Sequence, residues 1–321
     1  ERTCDGLVRD NERGCTRTTM AAGEDDHVAT YKAVDREHDH HGADKPRRGC
    51  VRFVAISDTH GKHGALGLLP LGDVLVHAGD FTERGDLAEV DAFCEWLSQQ
   101  PHARKVVIAG NHDLTLHGGA YEQACRDWGV TIDGRERERC VAARARLKAV
   151  PGLEYLCCSG TEVEGVRLWG APWVPTCGGV FTKPPAALAA VWQQIPDDVD
   201  VLLTHGPPRG HLDLAVPRGF GMGRKHAGCE HLLHAVTQRV RPAFHVFGHI
   251  HEGYGTETDG ATTFINAASC TVRGQCTQPP IVFDVPARHP TREPVEAGAT
   301  PAQCCCFACL RELDEADPAE T

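Results

Sequence analysis

"HVFGHIHEGYG", residues 245–255, begins as the apolar run of a buried strand and ends in a glycine-rich loop that carries His249 and His251 one residue apart. A lone histidine at a strand end is normally a polar side chain that finds a hydrogen bond. Two at positions i and i+2 can face a single cavity where the chain leaves a strand and bends, and neutral imidazole is a good transition-metal ligand. The pair therefore predicts further ligands elsewhere in the chain.

Upstream, the same pattern recurs. "VRFVAIS", 51–57, leads into Asp58-Thr59-His60-Gly61; "DVLVHAGD" ends at Asp80; "KVVIAGNHD" ends at Asn111-His112-Asp113; "VDVLLTHGPP" delivers His205. Helix-patterned stretches lie between several of these runs, such as "DLAEVDAFCEWLSQQ" at 86–100, with Leu87, Val90, Phe93 and Leu97 on one face. Strand, polar loop, helix is the α/β pattern, in which sites form beyond the carboxyl ends of strands.

Burying several uncompensated Asp and His side chains together costs several kcal/mol per charge, and bound cations remove that penalty. The candidate ligands are Asp58, His60, Asp80, Asn111, His205, His249 and His251. Imidazole nitrogen mixed with carboxylate and amide oxygen, without Cys, favours Mn, Fe, Zn or Co, with Mn first among them, over a thiolate zinc site or an all-oxygen Mg or Ca site. Seven ligands exceed what one tetrahedral ion takes. Two divalent ions sharing one carboxylate, about 3.5 to 4 Å apart with room for a bridging hydroxide, match the count and form a clamp for displacement at phosphorus.

The bulk numbers set the frame. With 321 residues, 41% of them hydrophobic, the chain can build one large domain. Residues 1–49 carry 9 Lys+Arg and 11 Asp+Glu, and residues 286–321 carry 3 and 7, with little apolar periodicity in either. Both segments read as disordered tails, the second acidic and Cys-containing, around a catalytic domain at 50–285. The net charge of -11 is spread without a basic block in the core, which argues against a nucleic-acid polymer as partner. No run approaches the roughly 18 apolar residues of a membrane span. Sixteen cysteines in a long chain with no signal-like start are the usage of a reducing cytoplasm, so thiols rather than disulfides are expected. "MAAGEDD" from Met20 has the look of a translation start. "EHDHH" at 37–41 is read as compositional; the "CCCFAC" at 304–309 holds a C-x-x-C half-site without a second pair, and its adjacent thiols are candidates for acylation.

The order D-x-H, G-D, G-N-H-[DE], a single His, then G-H-x-H resembles the calcineurin-like metallophosphoesterase superfamily. Residues 51–285 are most similar to its metallophosphoesterase-domain-containing branch, through "RFVAISDTHG", "GDFTE", "IAGNHDLT", "GAPWVP", "THGPP", "HVFGHIHEGYG" and "FINAASCTV". The segment at 133–150 lies outside the resemblance and reads as a solvated basic helix. The resemblance implies a four-layer α/β fold, a two-sheet β sandwich flanked by helices, with the metals at one edge. It implies that Asp58, His60 and His251 hold one ion, that Asn111, His205 and His249 hold the other, and that Asp80 bridges. Some members of this branch lack the histidine that His249 supplies and turn over poorly; this chain has it.

In the superfamily the histidine matching His112 protonates or stabilises the leaving oxygen; the plainer alternative is that it only orients Asn111. In the phosphatase relatives a string similar to "GDFTERG", 79–85, supplies a carboxylate that orients that histidine and an arginine that grips phosphate. Glu83 and Arg84 occupy those places. "GAPWVP" and "THGPPRGHLD" are expected to line the cleft, with Trp173 placed to stack on a base and Arg209 on the substrate side. The function expected is hydrolysis of small nucleotide phosphodiesters such as cyclic nucleotides. The alternatives are a phosphomonoesterase acting on nucleotides or phosphoproteins, and a nucleotide-binding scaffold with weak catalysis.

Overall fold

The computed structural model describes the backbone of residues 31–33 together with residues 49–216 and 223–287. Met20, the histidine-rich stretch at 37–41, the cysteine cluster at 304–309 and the remainder of the segments read as tails lie outside the described residues.

In chain order the strands are β1 (Tyr31–Ala33), β2 (Cys50–Ile56), β3 (Val74–Ala78), β4 (Arg104–Ile108), β5 (Leu153–Leu156), β6 (Ser159–Val163), β7 (Val166–Ala171), β8 (Val174–Pro175), β9 (Thr182–Lys183), β10 (Val201–Thr204), β11 (Leu214–Ala215), β12 (Lys225–His226), β13 (Phe244–Phe247), β14 (Gly255–Thr258), β15 (Thr263–Asn266) and β16 (Ile281–Pro286). The α-helices are α1 (Leu87–Ser98), α2 (Gly118–Trp128), α3 (Glu136–Ala149), α4 (Pro185–Trp192) and α5 (Glu230–His234). Two six-stranded sheets result, ordered β1-β16-β2-β3-β4-β5 and β14-β15-β13-β10-β7-β6. Strands β2 to β5 are parallel, as are β7, β10, β13 and β15, while antiparallel pairs close both edges of the second sheet and the β16 side of the first.

Period-2 alternation explains the layers. In β2, Phe53 and Ala55 face the opposite sheet with Val74, Val106, Val201, Phe244 and Phe283, in one buried cluster. The Phe244 and Phe283 rings meet at 4.5 Å between centroids and tie the sheets together. Val54 and Ile56, on the other face of β2, join the helix-side core with Val90, Phe93 and Leu97 of α1. Both faces are buried, which is why these strands read as unbroken apolar runs. The α/β sandwich flanked by helices is the architecture expected from the sequence.

Helix α1 starts at a capping box: the Asp86 carboxylate accepts the Glu89 N–H, and the Glu89 carboxylate accepts the Asp86 N–H. It presents Phe93 to Phe81, stacked at 4.2 Å, so the residue that follows Asp80 is nailed to the helix core. Helix α3 departs from the solvated reading of residues 133–150. Its Cys140, Ala143 and Leu147, spaced to share a face, are buried in the helix-side core, and Arg146 pairs with Asp91 of α1.

Five parallel strands, β2, β3 and β4 in one sheet and β10 and β13 in the other, deliver their carboxyl ends to the same edge of the sandwich. Beyond β2 and β15 an isolated parallel bridge pairs Ser57 with Ala268, and the Ser269 N–H donates to the Ser57 carbonyl at 2.7 Å. This contact joins the two sheets immediately before Asp58.

Candidate metal centre

The loops that leave these strands bring three groups of potential ligands together: Asp58, His60 and His251; His60, Asp80 and His112; Asp80, His205 and His249, with the ligand atoms of each group within 4.8 Å of one another. Asp80 belongs to two groups. Its Oδ2 lies 3.2 Å from His205 Nε2 and 3.9 Å from His60 Nε2. Asp58 Oδ1 is 3.3 Å from His251 Nε2, and Asn111 Oδ1 is 3.1 Å from His205 Nε2. All seven residues singled out from the sequence therefore meet at one place.

Backbone carbonyls set the tautomers of two of these imidazoles. His205 donates its Nδ1–H to the Ala78 carbonyl at 2.9 Å and His251 its Nδ1–H to the Thr271 carbonyl at 3.3 Å, so each presents Nε2 to the centre. Asp58 accepts the His249 N–H on both oxygens, at 3.1 and 2.9 Å, and Asp80 accepts the His112 N–H at 2.8 Å. These close approaches need glycine beside them: a Cβ on Gly248 would collide with the Asp58 carboxylate, and one on Gly110 with that of Asp80. Asn111 donates its side-chain N–H to the Gly178 carbonyl at 2.9 Å, which aims the amide oxygen at His205.

The charges are those of a cation site. Burial pushes the Asp58 and Asp80 carboxyls up, but His251 beside Asp58 and His205 beside Asp80 hold both well below the usual carboxylate range. His205 and His251 are pushed down by burial and, more strongly, up by Asp80 and Asp58, each to about 9. Burial lowers His249 to about 4 and also lowers His60, so both stay neutral. The donor set thus offers two buried carboxylates and four converging imidazoles, two of them neutral and two held protonated by the carboxylates beside them. The Nε2 atoms of His60 and His251 face each other at 3.4 Å, and His60 Nδ1 is buried without a hydrogen-bond partner. Two divalent ions suit this arrangement, since they would replace the protons that now hold the Asp–His pairs.

Around the ligands, His112 donates its Nδ1–H to the main-chain carbonyl of Glu83 at 2.8 Å, leaving Nε2 free. The sequence reading gave that orienting role to the Glu83 carboxylate, which instead is half-exposed with Oε2 3.7 Å from His60 Nδ1. The reversal has a local cause: the N–H groups of Glu83 and Arg84 are both captured by the Glu89 carboxylate, which turns the Glu83 carbonyl toward His112. Arg84 is exposed. Arg209 is exposed as well, its N–H donating to the Cys229 carbonyl at 3.1 Å.

Trp173 does not line a cleft. It is 3% exposed, with Phe181 and His117 edge-on to it and Lys183 Nζ 4.2 Å from its ring centroid, so no face remains for a base. It lies between β7 and β8, and "GAPWVP" is a largely buried string. Two residues were given no role from the sequence. The buried Asp113 accepts the N–H groups of Asp80, Thr82 and Gly110 and the Thr82 hydroxyl, which makes it the peg of the Asp80 loop; its place within G-N-H-D was the available signal. Trp128, at the end of α2, sets its ring 4.6 Å from that of His112, and no motif marks it.

Convergent carboxylates and imidazoles at the carboxyl ends of parallel strands, in a two-sheet sandwich, define a metal-dependent hydrolase. Residues 51–253 match the family model of calcineurin-like phosphoesterases. The chain is 43% identical over 251 residues to metallophosphoesterase domain-containing protein 1 of Homo sapiens and of Mus musculus, covering 77% of this chain and 74% of theirs. It is 41% identical over 239 residues to a UPF0046 protein of Caenorhabditis elegans, covering 74% and 81%. The chain belongs to the calcineurin-like phosphoesterase family and is a metal-dependent phosphoesterase.

Proposed function

We propose that the chain hydrolyses small nucleotide phosphodiesters, cyclic nucleotides among them, with two manganese ions in a cytoplasmic setting. One observation carries this reading: Asp80 Oδ2 lies 3.2 Å from His205 Nε2 and 3.9 Å from His60 Nε2, so one carboxylate is placed where it could be shared by two ions. Asp58, His60 and His251 would hold one ion and Asn111, His205 and His249 the other, with Asp80 shared. Divalent ions bound by these residues would supply a water of lowered pKa, around 7, and positive charge for the phosphoryl oxygens.

The chain's own residues supply the rest. His112, its Nδ1–H tied to Glu83, offers Nε2 as the proton donor to the leaving oxygen. Asp113 keeps the Asp80 loop rigid, and Gly178 and Ala78 fix the angles of Asn111 and His205. Arg84 is exposed, which suits a site that leaves room for the second substituent of a diester.

The test is turnover of bis(4-nitrophenyl) phosphate against 4-nitrophenyl phosphate by protein loaded with Mn, Fe, Zn or Mg. Faster turnover of the diester, highest with Mn, is expected. Monoester preference would replace the diesterase reading with a phosphatase. No turnover with any metal would leave a nucleotide-binding scaffold.

A further inference from the structure

The structure carries a specificity element that no motif announces. Trp128 is the last residue of α2, whose Tyr121, Ala124 and Cys125 are buried and whose end is fixed by Gly129 in the left-handed conformation. The indole is half-buried and stands edge-on to His112, ring centroids 4.6 Å apart at 67°. Among the described residues it is the one Phe, Tyr or Trp ring in contact with an imidazole of the cluster, whose other ring contacts are among histidines. Its far side lies along Gly178 and Gly179: a Cβ on the first would sit 3.3 Å from the indole Nε1, and on the second 3.1 Å from Cζ2. The Gly178 carbonyl accepts the Asn111 side-chain N–H, so the indole, His112 and Asn111 share one wall. The Nε2 of His112, on the side away from the Glu83 carbonyl, marks the leaving-group side, and the indole packs against that imidazole.

We propose that Trp128 is the aromatic wall of the substrate cleft and selects phosphate esters that carry a flat apolar group on the His112 side. The inference rests on the phosphoesterase reading of the centre. An indole loses little freedom when a flat group stacks on it, and stacking of a base on an aromatic side chain corresponds to about 5- to 100-fold in binding. Trp173, buried among Phe181, His117 and Lys183, has no such surface to offer.

The test uses the metal-loaded full chain and two inert probes, methylphosphonate and phenylphosphonate, with binding followed by calorimetry. The wild type is expected to bind phenylphosphonate about tenfold more tightly. Trp128→Leu should bring the two within about threefold while leaving methylphosphonate unchanged, and Trp128→Phe should keep most of the preference. If the Leu variant keeps the preference, or if methylphosphonate weakens in parallel, Trp128 is only a brace for His112 and the inference is wrong. Methylphosphonate binding without a ring preference in the wild type also removes it, leaving the centre intact. No methylphosphonate binding at all strikes the phosphoesterase reading itself, and this inference falls with it.

Discussion

Asp58, His60, Asp80 and His249 hold φ values of 50°, 45°, 55° and 65°, the left-handed region that costs a non-glycine residue of order 1 kcal/mol or more. Four candidate ligands share this strain, and ion binding is what it prepares. Asp80→Asn is expected to lose both metal and activity, because an amide keeps the shape but not the charge that holds two cations together; metal analysis showing two retained ions would refute the bridging role. His112→Ala should keep its metals while turnover falls roughly 10²- to 10⁴-fold, the range for a positioned acid. The loss should be greatest on alkyl esters, whose leaving oxygens need the proton; equal losses on nitrophenyl and alkyl esters would contradict the role. Arg84→Ala should change diester turnover less than about threefold, as an exposed side chain's ion pairs contribute only about 0 to 1 kcal/mol. At this scale the cluster of candidate ligands was legible because metal chemistry admits few residue types. Trp173 was misread because a tryptophan's spacing does not say whether both its faces are covered, and Glu83 because its main chain, not its side chain, does the orienting.

The unit that repeats is a buried parallel strand followed by a ligand-bearing loop, and the loops are held by carboxylates that touch no candidate metal ligand side chain. Asp113 accepts four hydrogen bonds inside the Asp80 and Asn111 loops, and Glu89 accepts the N–H groups of Glu83, Arg84 and Asp86. Asp113→Ala would strand buried donors at about 1–3 kcal/mol each, so a fall of several degrees in the unfolding temperature of the metal-free protein is expected, with metal affinity reduced. Wild-type stability in this variant would show that the loop does not depend on its peg. Strand, loop and helix alternation was readable from periodicity, and α1 appears at Leu87–Ser98 within the expected 86–100. The packing of α3 was not, because three small or thin apolar residues among arginines make a weak stripe, and only tertiary contact with α1 reveals it as a covered face.

At the scale of the whole molecule, the centre sits at one edge of the two-sheet sandwich, with further neutral histidines behind it. His77 donates to or accepts from Thr59, and His245 meets Thr204, residues adjacent to Asp58, His60 and His205; both rings are fully buried. Burial lowers each from the ordinary 6.5 to about 3. Between those values the unfolded chain binds protons that the folded chain refuses, so stability rises with pH and is lost as pH falls below about 6.5. At pH 5 the cost is about 2 kcal/mol per histidine. His245→Gln, which cannot take up that proton, should lose correspondingly less stability between pH 7 and pH 5 in urea unfolding of the metal-free protein; an unchanged difference would contradict the assignment. Family membership was legible from the sequence because the whole ligand order survives in it, whereas the contact between sheets beside Asp58, Ser57 to Ala268, pairs two motif strings far apart in the chain and shows only in the fold. The central requirement is that two ions share Asp80, and the most direct test is the metal content of reconstituted protein measured together with diester turnover. Two ions per chain, with bis(4-nitrophenyl) phosphate turnover that rises only as the second ion binds, is the result predicted. One ion per chain at full activity would contradict it.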